Sequence, residues 1–107
     1  MKSIITNCKG CYVCGSYYGL NTHHVIFGTG KRKLADKDGL TVPLCYYHHK
    51  SKVGVHGGNR ILDLKLKRLA ERKWIEYYNK TEDDFIKRYG KSYFWERNKW
   101  ANIIITK

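Results

Sequence analysis

Two short pairs of metal-binding residue types constrain this chain more than any other feature: Cys11-Tyr12-Val13-Cys14, followed at once by Gly15, and Cys45-Tyr46-Tyr47-His48. The first is a C-x-x-C whose trailing glycine lets two thiolates and a tight knuckle close around one ion. The second is a C-x-x-H at the expected start of a helix, where residues three apart lie nearly one above the other and face the same ion. Four soft or borderline ligands in two such halves fit a tetrahedral structural zinc, and a chain of 107 residues gains from that staple a stability that a modest core does not supply. Cys8 also stands in a C-x-x-C with Cys11. Gly15 favours the Cys11 and Cys14 pair and leaves Cys8 as a spare thiol or a substitute ligand. Free buried cysteines and a capping histidine are the alternative, but they would have to fall by accident into both halves of a ligand pattern.

Composition narrows the class. With 42% hydrophobic and 14% aromatic residues the chain carries enough core-forming side chains to fold. Its length suits one domain spanning residues 1–107, with a zinc core over 8–59 and a basic helical extension over 60–107 packed on it. Lys and Arg number 21 against 9 Asp and Glu, a formal net charge of +12, so the field around the molecule draws polyanions, with nucleic acid the leading partner. No stretch approaches the about 20 apolar residues that span a bilayer, and the start MKSIITNCKG lacks the apolar core of a signal peptide. The expectation is a cytoplasmic protein with no membrane partner, in whose reducing surroundings the four cysteines serve a metal rather than disulfides.

Residues 20–27 (LNTHHVIF) and 40–44 (LTVPL) read as short strands separated by a Gly- and Lys-rich loop, GTGKRKLADKDG. Pro43 makes the second an edge strand at best. A short helix is expected from about Cys45. Beyond residue 60 the composition shifts: Leu62, Leu66, Leu69, Ala70, Trp74 and Tyr78 recur at helical spacing, a core-facing stripe on a helix whose other faces carry Arg68, Arg72 and Lys73. Asn79 can end that helix, Thr81 can cap the next with Asp84 as reciprocal partner, and Gly90 can close it. The segment Lys91 to Lys107, with Tyr93, Phe94, Trp95, Trp100 and an IIIT run, is expected to pack back on the core.

Between the two cysteine pairs lies His23-His24 on the first strand, and His49 directly follows the zinc ligand His48. One helical residue is a rotation of about 100°, so if His48 faces the zinc, His49 faces elsewhere, toward the hairpin. A second site beside the first is geometrically natural. At these residues the chain resembles the HNH nuclease family, whose pattern is C-x-x-C, then Asp-His or His-His, then a hydrophobic strand, then C-x-x-C-His or C-x-x-His-His. The match runs from Cys11 to about His56, and CYVCG, HHVIFGTG, VPLCYYHH and GVHGGN look like its small phage and prophage branch. LKLKRLA and FIKRYGKSY extend the likeness downstream.

The resemblance implies an α+β fold of the ββα-metal, treble-clef-like type, a zinc-stabilised HNH core followed by C-terminal helices. It also implies a divalent ion (Mg2+, Mn2+, Ni2+ or Zn2+) gripping the scissile phosphate while a histidine activates water. Carried over, His24 matches the general base, His23 and His49 match metal-binding positions, and His56 is assigned to the same ion or to phosphate contact. The implied partners are DNA, held through its backbone, and other phage DNA-processing proteins. Two departures stand out. Where the family places the Asn that steadies its base-bearing loop, this chain reads Asp38-Gly39-Leu40, so His24 needs another group to orient it. Strand neighbours also point to opposite faces, so His23 and His24 serve one centre only if the strand bends or one of them supports the other. Arg32, Lys33, Lys50 and Lys52 flank the cluster and suit either phosphate contact or a solvated basic face. Three functions follow: a metal-dependent endonuclease of low sequence specificity, a non-catalytic zinc module binding DNA or a recombination or packaging partner, and an RNA-processing enzyme of the same fold.

Overall fold

The computed structural model describes residues 2–94 and is a small mixed α+β fold. Strand β1 (Asn21–His24) pairs antiparallel with β2 (Thr41–Leu44), in the register Asn21 to Leu44, Thr22 to Pro43, His23 to Val42 and His24 to Thr41. The Val25 amide extends the ladder by donating to Leu40 O at 3.0 Å. In a two-stranded sheet both strands are edges, which is why Pro43, lacking an amide hydrogen, is tolerated. Its carbonyl accepts from the Tyr12 amide at 2.8 Å, tying the cysteine knuckle to the sheet.

The connection between the strands is not the open loop expected from its glycines and lysines. It folds into helix α1 (Lys31–Asp38), bounded by Gly30 and Gly39, both left-handed. Gly39 is required there: at φ 80° it ends the helix with its amide donating to Ala35 and Asp36, and a Cβ would lie 2.5 Å from Lys2 O. With only Ala35 and Asp38 buried, α1 has little apolar signature. It is held at its C-terminal end by Asp38, whose carboxylate accepts from Trp74 Nε1 (2.9 Å), Arg88 Nε (2.5 Å) and Nη2 (2.8 Å) and Tyr89 Oη (2.7 Å), while its carbonyl accepts from Tyr78 Oη (2.9 Å). Asp38 therefore binds α1 to the two C-terminal helices rather than serving the site.

Cys45 stands at the N-terminus of the single-turn helix α2 (Tyr46–His49), after which the chain doubles back through a 3-10 turn at Val55–Gly57. Helix α3 (Arg60–Tyr78) is capped by Asn59, whose side chain accepts from the Leu62 amide, and ends at Asn79 in the left-handed region. Its stripe is core as the spacing predicts: Leu66, Ala70 and Trp74 are buried, with Leu62, Leu69 and Tyr78 packed against them. Glu71 is also buried, and it earns its place by accepting from Ser92 Oγ and the Tyr93 amide, both at 2.7 Å. Helix α4 (Glu82–Tyr89) opens on the Thr81/Asp84 capping box and closes at Gly90. Phe85 and Tyr89 of α4 pack with Trp74, and Tyr93 joins the core. The remainder of the expected C-terminal packing, including Trp95, Trp100 and the IIIT run, lies outside the described residues. Among the described residues no helix is long and apolar enough to cross a membrane.

Candidate metal centre

The knuckle is built by two backbone bonds, Gly15 N to Cys11 O (2.8 Å) and Cys11 N to Ser16 O (2.9 Å), which fold Cys11 and Cys14 onto one side of the turn. Helix α2 brings Cys45 and His48 to the same point, and one ligand atom from each of the four residues lies within 4.8 Å of the others. The individual spacings are 3.8 Å for Cys14 Sγ to Cys45 Sγ, 3.3 Å for Cys45 Sγ to His48 Nδ1 and 3.9 Å for Cys11 Sγ to His48 Nδ1. A tetrahedron with Zn–S near 2.3 Å and Zn–N near 2.0 Å has edges of about 3.8 Å between sulfurs and about 3.5 Å between sulfur and nitrogen. The cluster therefore matches the dimensions of a metal ion such as zinc. Burial pushes the Cys11 thiol up, but backbone donors at Cys45, Cys14 and Val13 outweigh it and bring it from 9.0 down to about 6, favouring the thiolate that a metal needs. Cys8 is exposed and lies outside the group, so the alternative Cys8 and Cys11 pairing is not the one formed.

A second group forms on the other side of α2. His23 of β1, His49 of α2 and His56 of the 3-10 turn each bring a ring nitrogen within 4.8 Å of the others. Their ring centroids are 5.0 Å (His23 to His49), 5.1 Å (His23 to His56) and 4.8 Å (His49 to His56) apart. Consecutive residues His48 and His49 thus serve the two clusters separately, as the helical rotation requires. His56 reaches the group because Gly54 and Gly57 let the turn press onto the end of α2. A Cβ at Gly57 would lie 1.7 Å from Ser51 O, and one at Gly54 would lie 2.7 Å from the His49 carbonyl carbon.

His23 is 1% exposed, yet both its ring nitrogens and Nδ1 of His49 are buried without a hydrogen-bond partner among the described residues. A neutral imidazole carries a donor and an acceptor, and orphaning them in a packed interior is costly. Rings packed only as aromatics leave that cost uncompensated, whereas a divalent ion between the three would take up the free lone pairs. Burial, and then the neighbouring charges of His49, His56, His24 and Lys67, hold His23 far below 6.5, at about 3. Burial, followed by His56 and Lys50, lowers His49 as well. Both rings are therefore neutral and able to ligate at ordinary pH.

His24 is not part of this group. Strand alternation turns it away from its neighbour, and its Nε2 lies 3.1 Å from Asp36 Oδ1 on α1. Asp36 lies two residues before Asp38-Gly39-Leu40, on α1, the helix that forms where the glycines and lysines of the sequence predict a loop. Asp36 was missed for that reason. Phe27 was missed too: its ring stands 5.9 Å from His23 and 5.2 Å from His56, walling the three-histidine group. Arg32, Lys33, Lys50 and Lys52 are all exposed. Comparison with protein-family models, with curated proteins and with solved structures finds no match.

Proposed function

We propose that the chain is a metal-dependent endonuclease of the HNH type, with a ββα-metal core formed by β1, β2 and α2, hydrolysing DNA phosphodiester bonds with little regard to sequence. The observation that carries this reading is the pairing of two separate clusters on one short helix. A Cys3His group of structural character adjoins a group of three histidines, two of which, His23 and His49, carry buried ring nitrogens with no hydrogen-bond partner among the described residues. His23, His49 and His56 would hold the catalytic divalent ion, which supplies the positive charge that grips a scissile phosphate and acidifies an attacking water.

His24 is assigned the proton transfer. With Nε2 turned to the Asp36 carboxylate, the bond is satisfied by Nε2–H donating, which leaves Nδ1 as the free base. Asp36 acts through His24 as a positioning residue, fixing its tautomer. The high net charge of the chain supplies long-range attraction to the polyanionic backbone.

Plasmid nicking by protein that retains its structural zinc, with magnesium, manganese, nickel or zinc added in turn, tests this. Cleavage is expected with at least one ion and is expected to vanish in His49→Ala purified identically. Anomalous scattering should locate two metal sites per chain. A second reading, a zinc-stabilised module that binds DNA without cutting it, is favoured by one observation: His24 is engaged by Asp36 rather than joined to the other three histidines. Wild-type protein that binds DNA, holds one zinc and never cleaves would establish that module in place of the enzyme.

A further inference from the structure

Beside the three-histidine group lies a lysine that neither cluster uses. Lys67 sits on α3 with a side chain only 15% exposed. Lysines seldom lie so deep, because the ammonium gives up hydration and the stem gives up rotamer freedom. Its Nζ is fixed from several sides: 2.8 Å from Asp63 Oδ2, 4.3 Å from the Phe27 ring centroid and 5.6 Å from that of Tyr93. Phe27 is also the ring that packs on His23 and His56, so the ammonium and two of the three imidazoles share one aromatic neighbour. An i,i+4 ion pair alone explains none of this, since such pairs form on exposed helix faces without aromatic walls.

We propose that Lys67 is a phosphate-binding residue of the three-histidine site, a protein-borne positive charge held ready for the same phosphodiester that the ion would grip. This rests on the endonuclease reading for the identity of the reaction, but not for the ligand, which is a phosphate group in either case. Among the described residues Asp63 takes one of the three ammonium donors and the aromatic faces hold the position, leaving donors for an anionic oxygen. His56 is exposed, so the three-histidine group is reachable from solvent. A charge that needs no reorganisation when phosphate arrives is worth more there than a mobile surface lysine.

The experiment titrates inorganic phosphate into protein loaded with zinc, by calorimetry and by following the Lys67 side-chain ammonium signal in nuclear magnetic resonance. In the wild type, phosphate should shift that signal. Lys67→Met should weaken phosphate binding about tenfold and slow single-turnover nicking about 100-fold, while Lys67→Arg keeps most of both. The Arg variant separates a charge role from a packing role if the Met variant is poorly folded. A wild-type Lys67 signal unmoved by phosphate, or Lys67→Met binding phosphate as tightly as wild type, overturns the proposal while leaving histidine-dependent cleavage intact. Conversely, a protein that never nicks DNA but loses phosphate on Lys67→Met refutes the endonuclease reading and keeps the phosphate site.

Discussion

At the scale of the residue, the two histidines of β1 have opposite surroundings and should answer to different experiments. His23 is buried with a depressed pKa of about 3 against 6.5 when unfolded. Between those two values the unfolded chain binds the extra proton and the folded one does not, so stability contributed by His23 is complete above 6.5 and is lost as pH falls toward 3. For one such proton the slope is about 1.4 kcal/mol per pH unit, and His49, lowered in the same direction, adds to it. Urea denaturation of protein that keeps the metal of its Cys11, Cys14, Cys45 and His48 cluster, with none supplied to the three histidines, should show stability falling through this window, with a shallower fall in His23→Leu. An equal slope in the two proteins would show that His23 titrates normally. His24, half-buried and paired with Asp36, is different: His24→Ala should cut nicking by about 10² to 10⁴-fold with melting temperature and zinc content unchanged. Asp36→Asn should lower the rate less and move the pH-rate profile, because the carboxylate acts only through the imidazole. An Asp36→Asn profile identical to wild type would remove the positioning role.

Elements show how much of the molecule was legible beforehand. The hairpin, the stripe on α3, the Asn79 stop and the Thr81/Asp84 box could be read because each rests on local rules: alternation, helical period and cap chemistry. Both halves of the Cys11, Cys14, Cys45 and His48 cluster were legible from spacing alone. Helix α1 was not, because KRKLADKD shows no apolar period and its glycines read as turn residues. Its anchor is the four-donor carboxylate of Asp38, formed with residues 36 to 51 positions away. With α1 hidden, the Asp36 partner of His24 was hidden too. The same distinction yields two predictions. Asp38→Ala leaves the buried Trp74 indole and Tyr89 hydroxyl without their acceptor, while the Arg88 guanidinium, one third exposed, turns to water, and should cost about 2–4 kcal/mol by denaturant titration. A loss under 1 kcal/mol would mean that water replaces the carboxylate. Helix α2 is a single turn, too short to stand by itself, so it depends on the cluster it carries. Structural zinc contributes on the order of 10 kcal/mol to such small units. Chelation, or Cys14→Ser, should therefore lower the melting temperature steeply and disperse the His49 and His56 signals. Unchanged circular dichroism and melting after chelation would refute a structural metal.

For the whole molecule, the governing quantity is the imbalance of 21 Lys and Arg against 9 Asp and Glu. Those charges are spread along the chain: Arg32, Lys33 and Lys37 on α1, Lys50 and Lys52 after α2, Lys65 and Arg72 on α3, all exposed. Among the described residues such a distribution suits phosphate neutralisation and counterion release rather than base-edge contact. If DNA is the partner, the logarithm of affinity should fall linearly with the logarithm of salt, by about 0.9 per phosphate contacted. With six or more contacts, affinity should drop by about 10³-fold between 50 and 200 mM salt. Replacing one base pair at a time should change affinity by less than the about 1–3 kcal/mol that a read base pair contributes. Removing the metal from the three-histidine group should reduce cleavage far more than it reduces this binding, because binding is a property of the whole field and cleavage of one site. Fluorescence-anisotropy titrations on duplexes of scrambled sequence at four salt concentrations measure all of this. A flat salt dependence would refute backbone-dominated recognition, and strong preference for one duplex would require a base-reading surface instead.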